Sequence, residues 1–319
     1  MVERYGPPEV VKVKDVPTPE PGEGEVRVRS HATTVNSGDS RVRALRVPTG
    51  MSLAVRLKFG WSAPKQPILG FDAAGEVDAV GAGVSDWQVG DRVVASRGFD
   101  FGCHAERLVV AGDGAIARLP DDWSYTDAVA LMFGGATTLK FFAMGKLAAG
   151  ESLLVNGASG AVGTMAVQIA KHLGARVTAI CSGKNVELVE SLGADDVVDY
   201  QKIDVTRGGD RFDVIMDTHG NTPYSRMKGL LKPGGRFLMV NGDLGPTIAA
   251  MWQKPVLSAG LNDEPAGAEE GREIMALAGN GVLRPVIDRT VAFDDIVEAH
   301  RHVDTGHKVG SVVVTFNGD

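Results

Sequence analysis

The sequence predicts an α/β protein of two domains, a doubly wound parallel sheet joined to a β-rich, barrel-like unit. Three observations predict it. The chain has 319 residues, more than one hydrophobic core usually fills. The first ~120 residues read as short strands punctuated by Gly and Asp. Beyond them, short unbroken apolar strands alternate with helical segments, the pattern of a parallel sheet covered on both faces. The expected division is 1–122 for the β-rich domain, 123–265 for the α/β domain, and 266–319 as a return to the first.

The elements follow in order. "EVRVRSHA" alternates, with Val26 and Val28 on one side and Arg27 and Arg29 on the other, as a half-buried strand requires. "AAGEVDAVG", "GDRVVAS" and "AERLVV" are further short strands. Residues 127–147 read as a helix with a glycine pair inside. "SLLVN" is a continuous apolar strand, followed by "NGASGAVGTMAVQIAK" and its helix. "RVTAI" is the next strand, and "NVELVESLG" a helix ended by Gly193. "DVVDY", "FDVIMD" and "RFLMVNG" are strands, with a helix, a proline stop and a turn expected in "TPYSRMKGLLKPGG". In the tail, "FDDIVEAHRHVDTG" reads as a helix and "KVGSVVVTF" as a strand that can rejoin the first domain.

Composition excludes several classes. Hydrophobic content of 44% and charged content of 23% describe an ordinary globular protein. A net charge of -7 argues against a general nucleic-acid binder. Two cysteines, Cys103 and Cys181, are too few for a disulfide scaffold or a four-cysteine zinc site. The start, "MVERYGPPEV", has no apolar signal core, and no run is expected to reach membrane-spanning length. A cytoplasmic protein without stable membrane insertion is expected.

The glycines at 157, 160 and 163 lie between a buried strand and an amphipathic helix, with Val162, Met165, Ala166, Ile169 and Leu173 on one stripe. That context suits a dinucleotide: small residues admit a pyrophosphate to the backbone, and the helix start offers free N–H groups. The spacing departs from G-x-G-x-x-G, and a tight strand-to-helix turn is the plainer alternative. An NAD site places an acid at the end of the second strand. Here Cys181 and Ser182 stand there and Lys184 follows, which favours the 2′-phosphate of NADPH.

"GESLLVNGASGAVGTMAVQIAK" resembles the signature segment of the quinone oxidoreductase and zeta-crystallin group of the medium-chain dehydrogenase/reductase superfamily, departing at Ala161, where that signature has a second glycine. The resemblance continues through "LGFDAAGEVDAVGAGVSDWQVGDRVVA", "SLGADDVVDY", "FDVIMDTHG" and "GHKVGSVVV". It implies a GroES-like catalytic domain, a Rossmann domain, and a homodimer joined through Rossmann-sheet edges. It also implies a short strand before "ERYGPPEVV", where only Met1 and Val2 stand, so either that strand is shortened or the start is late. By resemblance, Ala158, Ser159, Gly160, Ala161 and Val162 hold the pyrophosphate, and Ser182, Lys184 and Tyr200 the 2′-phosphate. Asn36, Thr137 and Asn241 lie near the nicotinamide, and Lys308 reaches the cofactor.

Zinc relatives carry Gly-His-Glu where this chain reads Gly70-Phe71-Asp72, and a catalytic cysteine near Ser37, so no zinc is expected. Without a Lewis acid, alcohol oxidation is disfavoured. Reduction of a quinone, enone or enal needs only hydride, positioning and hydrogen bonds to the developing oxyanion. The alternatives are a 2-enoyl thioester reductase, which uses a substrate-loop tyrosine absent between Asp39 and Asp72, and a non-catalytic NADPH-binding sensor or structural protein. Arg41, Arg43, Arg46, Arg56, Lys58 and Lys65 form a basic stretch without acids, read as a solvated excursion, a lid or a membrane-surface patch.

Overall fold

The computed structural model describes residues 1–46, 56, 57, 59–220, 222–240, 255–258 and 268–316. Among these, residues from Thr137 to Ser258 form one compact unit and the remainder form the other.

The first unit is built on a seven-stranded sheet. Its strands are β1 (Glu25–Val35), β2 (Asp72–Val80), β3 (Arg92–Ser96), β4 (Arg107–Ala111), β5 (Ile116–Arg118), β12 (Ile287–Ala292) and β13 (Ser311–Thr315). The order is β12-β13-β1-β2-β3-β5, with β4 also on β1. All pairs are antiparallel except β12 with β13. The tail strand therefore does rejoin the first unit, against the long central strand. Val26, Val28, Ala73, Val77, Val93, Ala95, Cys103 and Leu108 fill one core, using alternate positions along each strand. Helix α1 (Ser37–Ala44) follows β1 directly. Val2 and Val11 form a single antiparallel bridge where the resemblance implies a first strand.

Helix α2 (Tyr125–Gly145) corrects two sequence expectations. The division between units falls inside it, after Ala136, rather than at 122. Its first turns belong to the first unit: Ser311 Oγ donates to Ala130 O at 2.8 Å, and a Cβ at Gly135 would stand 2.9 Å from Ile274. The helix is also long and apolar enough to cross a membrane, with mean hydropathy 1.4, although no such run was expected. Burial gives the cause: 61% of that stretch is inside the protein, so the helix is apolar nearly all round as a core helix must be.

The second unit is a six-stranded parallel sheet, order β11-β10-β9-β6-β7-β8. Its strands are β6 (Ser152–Asn156), β7 (Arg176–Cys181), β8 (Asp196–Asp199), β9 (Phe212–Asp217), β10 (Leu231–Met239) and β11 (Val256–Ser258). Helices α3 (Ala161–His172), α4 (Val186–Ser191) and α5 (Tyr224–Met227) connect them. The change of direction at β6 is the switch point at which such sheets bind ligands. The helix expected in "TPYSRMKGLLKPGG" is a single α turn followed by a 3₁₀ turn, and β10 loses register around Pro233, which has no N–H to give the ladder. In the first unit, α6 (Ala268–Gly279) and α7 (Ile296–Asp304) complete the described helices.

Candidate functional site

In the second unit the site begins where β6 ends. Gly157 has φ +83°, open to glycine at little cost, and a Cβ there would stand 2.7 Å from Thr218 Oγ1. That hydroxyl donates to Asn156 O at 2.8 Å and Gly157 O at 3.1 Å, tying the loop after β9 to the turn. Asn156 Nδ2 donates to Asp217 Oδ1 at 2.9 Å, which also accepts from the backbone of His219 and Gly220. Burial raises the pKa of Asp217 despite these bonds. Gly160 is the N-cap of α3, and a Cβ there meets only Gly157 O at 3.6 Å. At Gly163 a Cβ would stand 2.2 Å from Gly157 O, so this glycine is what lets the helix seat on the turn. Thus Ala158, Ser159, Gly160, Ala161 and Val162 form the turn into a helix start whose first N–H groups lack intrahelical partners, with Ser159 and Gly160 partly exposed and the other three buried. Ala161, the departure from the signature, occupies the first helical position and is buried.

The second strand supplies the far end. Cys181 and Asp199 pair across β7 and β8, which brings Ser182, Lys184 and Tyr200 to one end of two neighbouring strands. Asn185 Nδ2 donates to Ser159 Oγ at 3.0 Å, joining this end to the turn. Lys184 and Tyr200 are exposed, and neither they nor Ser182 has a side-chain hydrogen bond or ion pair among the described residues. One carboxylate opposes them. Asp199 is buried beneath Gly183, where a Cβ would stand 2.5 Å from its Oδ2, and Lys202 Nζ lies 3.6 Å from that oxygen. Burial and Asp199 together push the Cys181 thiol up to about 11, so it is no nucleophile at neutral pH.

In the first unit, Asn36 caps α1. Its Oδ1 accepts from Gly38 N at 2.8 Å and Asp39 N at 3.2 Å, while Asp39 Oδ2 accepts from Asn36 N at 2.9 Å. This reciprocal cap fixes the amide, and Asn36 Nδ2 is left buried without a partner among the described residues. Asp39 Oδ1 also accepts from Gly70 N at 2.9 Å. Asp39 and Asp72 are both buried, and burial pushes each up to about 7. Asp39 has two backbone N–H donors and the Arg43 guanidinium to hold its charge; Asp72 has only the Ser96 hydroxyl. The proton therefore stays on Asp72 more readily. The sequence reading compared Asp72 only with the zinc relatives' Gly-His-Glu and passed over Thr34, buried where β1 pairs with its neighbours, and Asp39, buried in the first turn of α1.

The remaining candidates are placed as follows. Thr137 is half-buried in α2, just inside the second unit. Asn241 and Lys58 lie outside the described residues. Lys308, before β13, donates its ammonium to Gly310 O at 2.7 Å, and burial lowers it to about 8. Cys103 and His104 are both buried, and His104 Nε2 donates to Thr34 O at 3.0 Å. His300 is fully buried while His302 meets Asp288, so the two histidines face apart as their spacing requires. Among the described residues no group of three His, Cys, Asp or Glu side chains could hold a metal ion.

Two family models match the chain: the alcohol dehydrogenase GroES-like domain over residues 22–121 and the zinc-binding dehydrogenase domain over 192–314. The chain is 30% identical to the chloroplast envelope quinone oxidoreductase homolog of Arabidopsis thaliana, covering 94% of this chain and 92% of that one. It is 27% identical to the chloroplastic NADPH-dependent alkenal/one oxidoreductase of the same plant, covering 97% and 77%. Among solved structures, the quinone oxidoreductase from Coxiella burnetii superposes with a TM-score of 0.85 at 29% identity, over 98% of this chain and 96% of that one.

Proposed function

The chain belongs to the quinone oxidoreductase, zeta-crystallin-like group of the medium-chain dehydrogenase/reductase superfamily, and from that premise we propose that it is an NADPH-dependent, zinc-free reductase of quinones or conjugated enones and enals. Relatives named quinone oxidoreductase, NAD(P)H oxidoreductase and NADPH-dependent alkenal/one oxidoreductase support an oxidoreductase using a nicotinamide cofactor. The choice of NADPH rests on one observation: Ser182, Lys184 and Tyr200 converge at the strand ends with no partner of their own among the described residues. A lysine and two hydroxyls there suit a phosphate dianion. Asp199 acts against it, but it is turned under Gly183 and offset by Lys202. The relative named for NADPH-dependent alkenal and enone reduction supports both the cofactor and the substrate class.

When bound, the nicotinamide supplies the hydride. The chain's own residues do the rest. The cradle from Ala158 to Val162 takes the pyrophosphate on backbone N–H groups, and Asn156, Asp217 and Thr218 keep its shape. Asn36 presents a fixed amide donor toward a carbonyl oxygen. The donor set does not fit zinc: Phe71 stands where a ligand is needed, and Asp72 lacks partners for a three-ligand site among the described residues. The reading further proposes a homodimer in the cytoplasm.

The test follows loss of reduced-cofactor absorbance with a panel of quinones and enals. Turnover with NADPH well above that with NADH is expected. Lys184→Ala should raise the KM for NADPH about 10- to 100-fold, the worth of a charge-assisted hydrogen bond, and leave that for NADH unchanged. Equal use of NADH defeats the cofactor choice. Tight NADPH binding with no consumption by any acceptor leaves a non-catalytic binding protein.

A further inference from the structure

Among the described residues several buried polar atoms of the first unit have no hydrogen-bond partner, and three of them fall on one face at one end of its sheet: Thr34 Oγ1, Asn36 Nδ2 and Asp72 Oδ2. The ladder sets this out. Thr33 pairs with Ala73 across β1 and β2, so one residue further Thr34 stands opposite Asp72. Asp72 in turn pairs with Ser96 of β3. Asn36 lies two residues beyond Thr34, on the same side by the period of the strand. Ala73, on the opposite face, belongs to the apolar core. Buried unpaired polar atoms are rare and costly, and three at one sheet end call for a polar ligand to complete them.

The chemistry of the three atoms names the ligand. The cap holds Asn36 so that only its N–H₂ is offered. Thr34 offers a hydroxyl. Asp72 gains no backbone N–H to hold a charge, and the carboxylate facing it, Asp39, discourages a second one. Cys103 also faces Asp72, and Arg43 acts on Asp39, its guanidinium already paired with Asp304. All three atoms can therefore be donors, which suits an oxygen that becomes negative. We propose that Asp72 is the proton donor of the reaction, delivering its carboxyl proton to the carbonyl oxygen of a quinone or enone held by Asn36 and Thr34. This rests on the reductase reading above. The acceptor takes up hydride, an electron pair moves onto its carbonyl oxygen, and that oxygen takes the proton from Asp72 Oδ2. The product is a hydroxyl, as phenol or enol. Asp72 is left as a carboxylate and regains a proton from water when the product leaves. Shielding of the three atoms keeps water from competing at the oxyanion.

The test needs no turnover. The probe is 2,4-dinitrophenolate, a flat ring bearing an oxyanion, bound to the full chain with and without NADP⁺ from pH 5.5 to 9. Wild-type affinity should hold below pH 7 and fall about tenfold per pH unit above it, since one proton must accompany the anion. Asp72→Asn keeps the shape and a donor but cannot ionise, so its affinity should fall much less steeply across pH 7, leaving only the effect of the neighbouring Asp39. A carboxyl carbon NMR titration of wild type should show Asp72 titrating near 7. No probe binding by wild type at pH 6, the same pH dependence in Asp72→Asn, or titration of Asp72 in the ordinary carboxylate range overturns the proposal. Failure of the reductase reading would show separately, as no NADPH consumption with any acceptor.

Discussion

At the scale of single residues, Asn36 carries two duties that can be pulled apart. Its Oδ1 caps α1, and its Nδ2 is the unpaired donor. Asn36→Ser keeps a side-chain oxygen for the cap and removes the amide donor. Stability should stay within about 0.5 kcal/mol of wild type, because serine and asparagine cap almost equally well. The rate should fall about 10²-fold, the usual loss of one oxyanion-type donor. Asn36→Ala loses both duties and should cost a further ~1 kcal/mol in denaturant unfolding. A serine variant as active as wild type would remove Asn36 from the chemistry. The position of Ser182 and Lys184 was legible in the sequence, because the end of a second strand can be counted from the glycine turn. The company kept by Asp72 was not. Thr34 lies far from it in sequence, and only the β1–β2 register sets the two side by side.

At the scale of elements, the proposed function divides the labour of the glycine turn between binding and packing. Gly160 has open space at its Cβ position and an extended backbone, φ −80°. A Cβ at Gly163 would stand 2.2 to 2.7 Å from Gly157 O and the Ala158 backbone, where nothing flexible can yield. Gly160→Ala should therefore leave the melting temperature unchanged and weaken NADPH binding, by placing a methyl where the pyrophosphate approaches. Gly163→Ala should lift α3 off the turn and cost about 1–3 kcal/mol, as overpacking does. Calorimetry with and without NADPH separates the two outcomes; equal loss of stability in both variants would refute the division. The strand-turn-helix here was readable from local pattern, since an apolar strand, glycines and a stripe of period 3.6 are all within twenty or so residues of one another. Helix α2 was readable as a helix, but not as one shared by two units. Its membership is decided by residues such as Ile274 and Leu238, which a Cβ at Gly135 or Gly145 would strike. No local signal announces such partners.

At the scale of the whole molecule, the buried titratable groups of the first unit pull stability in opposite directions with pH. Burial pushes Asp39 and Asp72 up to about 7, so between their unfolded value of 3.8 and 7 the folded state holds protons that the unfolded state has lost. Their contribution falls as pH rises through that window. Burial lowers His104 to about 4 and lowers His300 as well, so from 6.5 downward the unfolded state binds protons that the folded state refuses. Their contribution is full above 6.5 and is lost as pH falls. The windows overlap from pH 4.5 to 6.5, and two acids set against two imidazoles should leave the stability of wild type nearly level there. Asp72→Asn removes one acid. The slope of unfolding free energy against pH should then become more positive by up to about 1.4 kcal/mol per pH unit in that window, the value of one proton. The variant should also be the more stable protein at pH 8, where wild type carries a buried carboxylate and the variant does not. Among the described residues His300 has no hydrogen-bond partner at either ring nitrogen, and it stacks edge-on against His104 at 5.8 Å, so a second cation there would meet the first and Arg43 as well. Urea unfolding at half-unit pH steps measures both slopes. A steep wild-type curve over pH 4.5 to 6.5, or parallel curves for the two proteins, would mean that these groups titrate alike in the folded and unfolded chain.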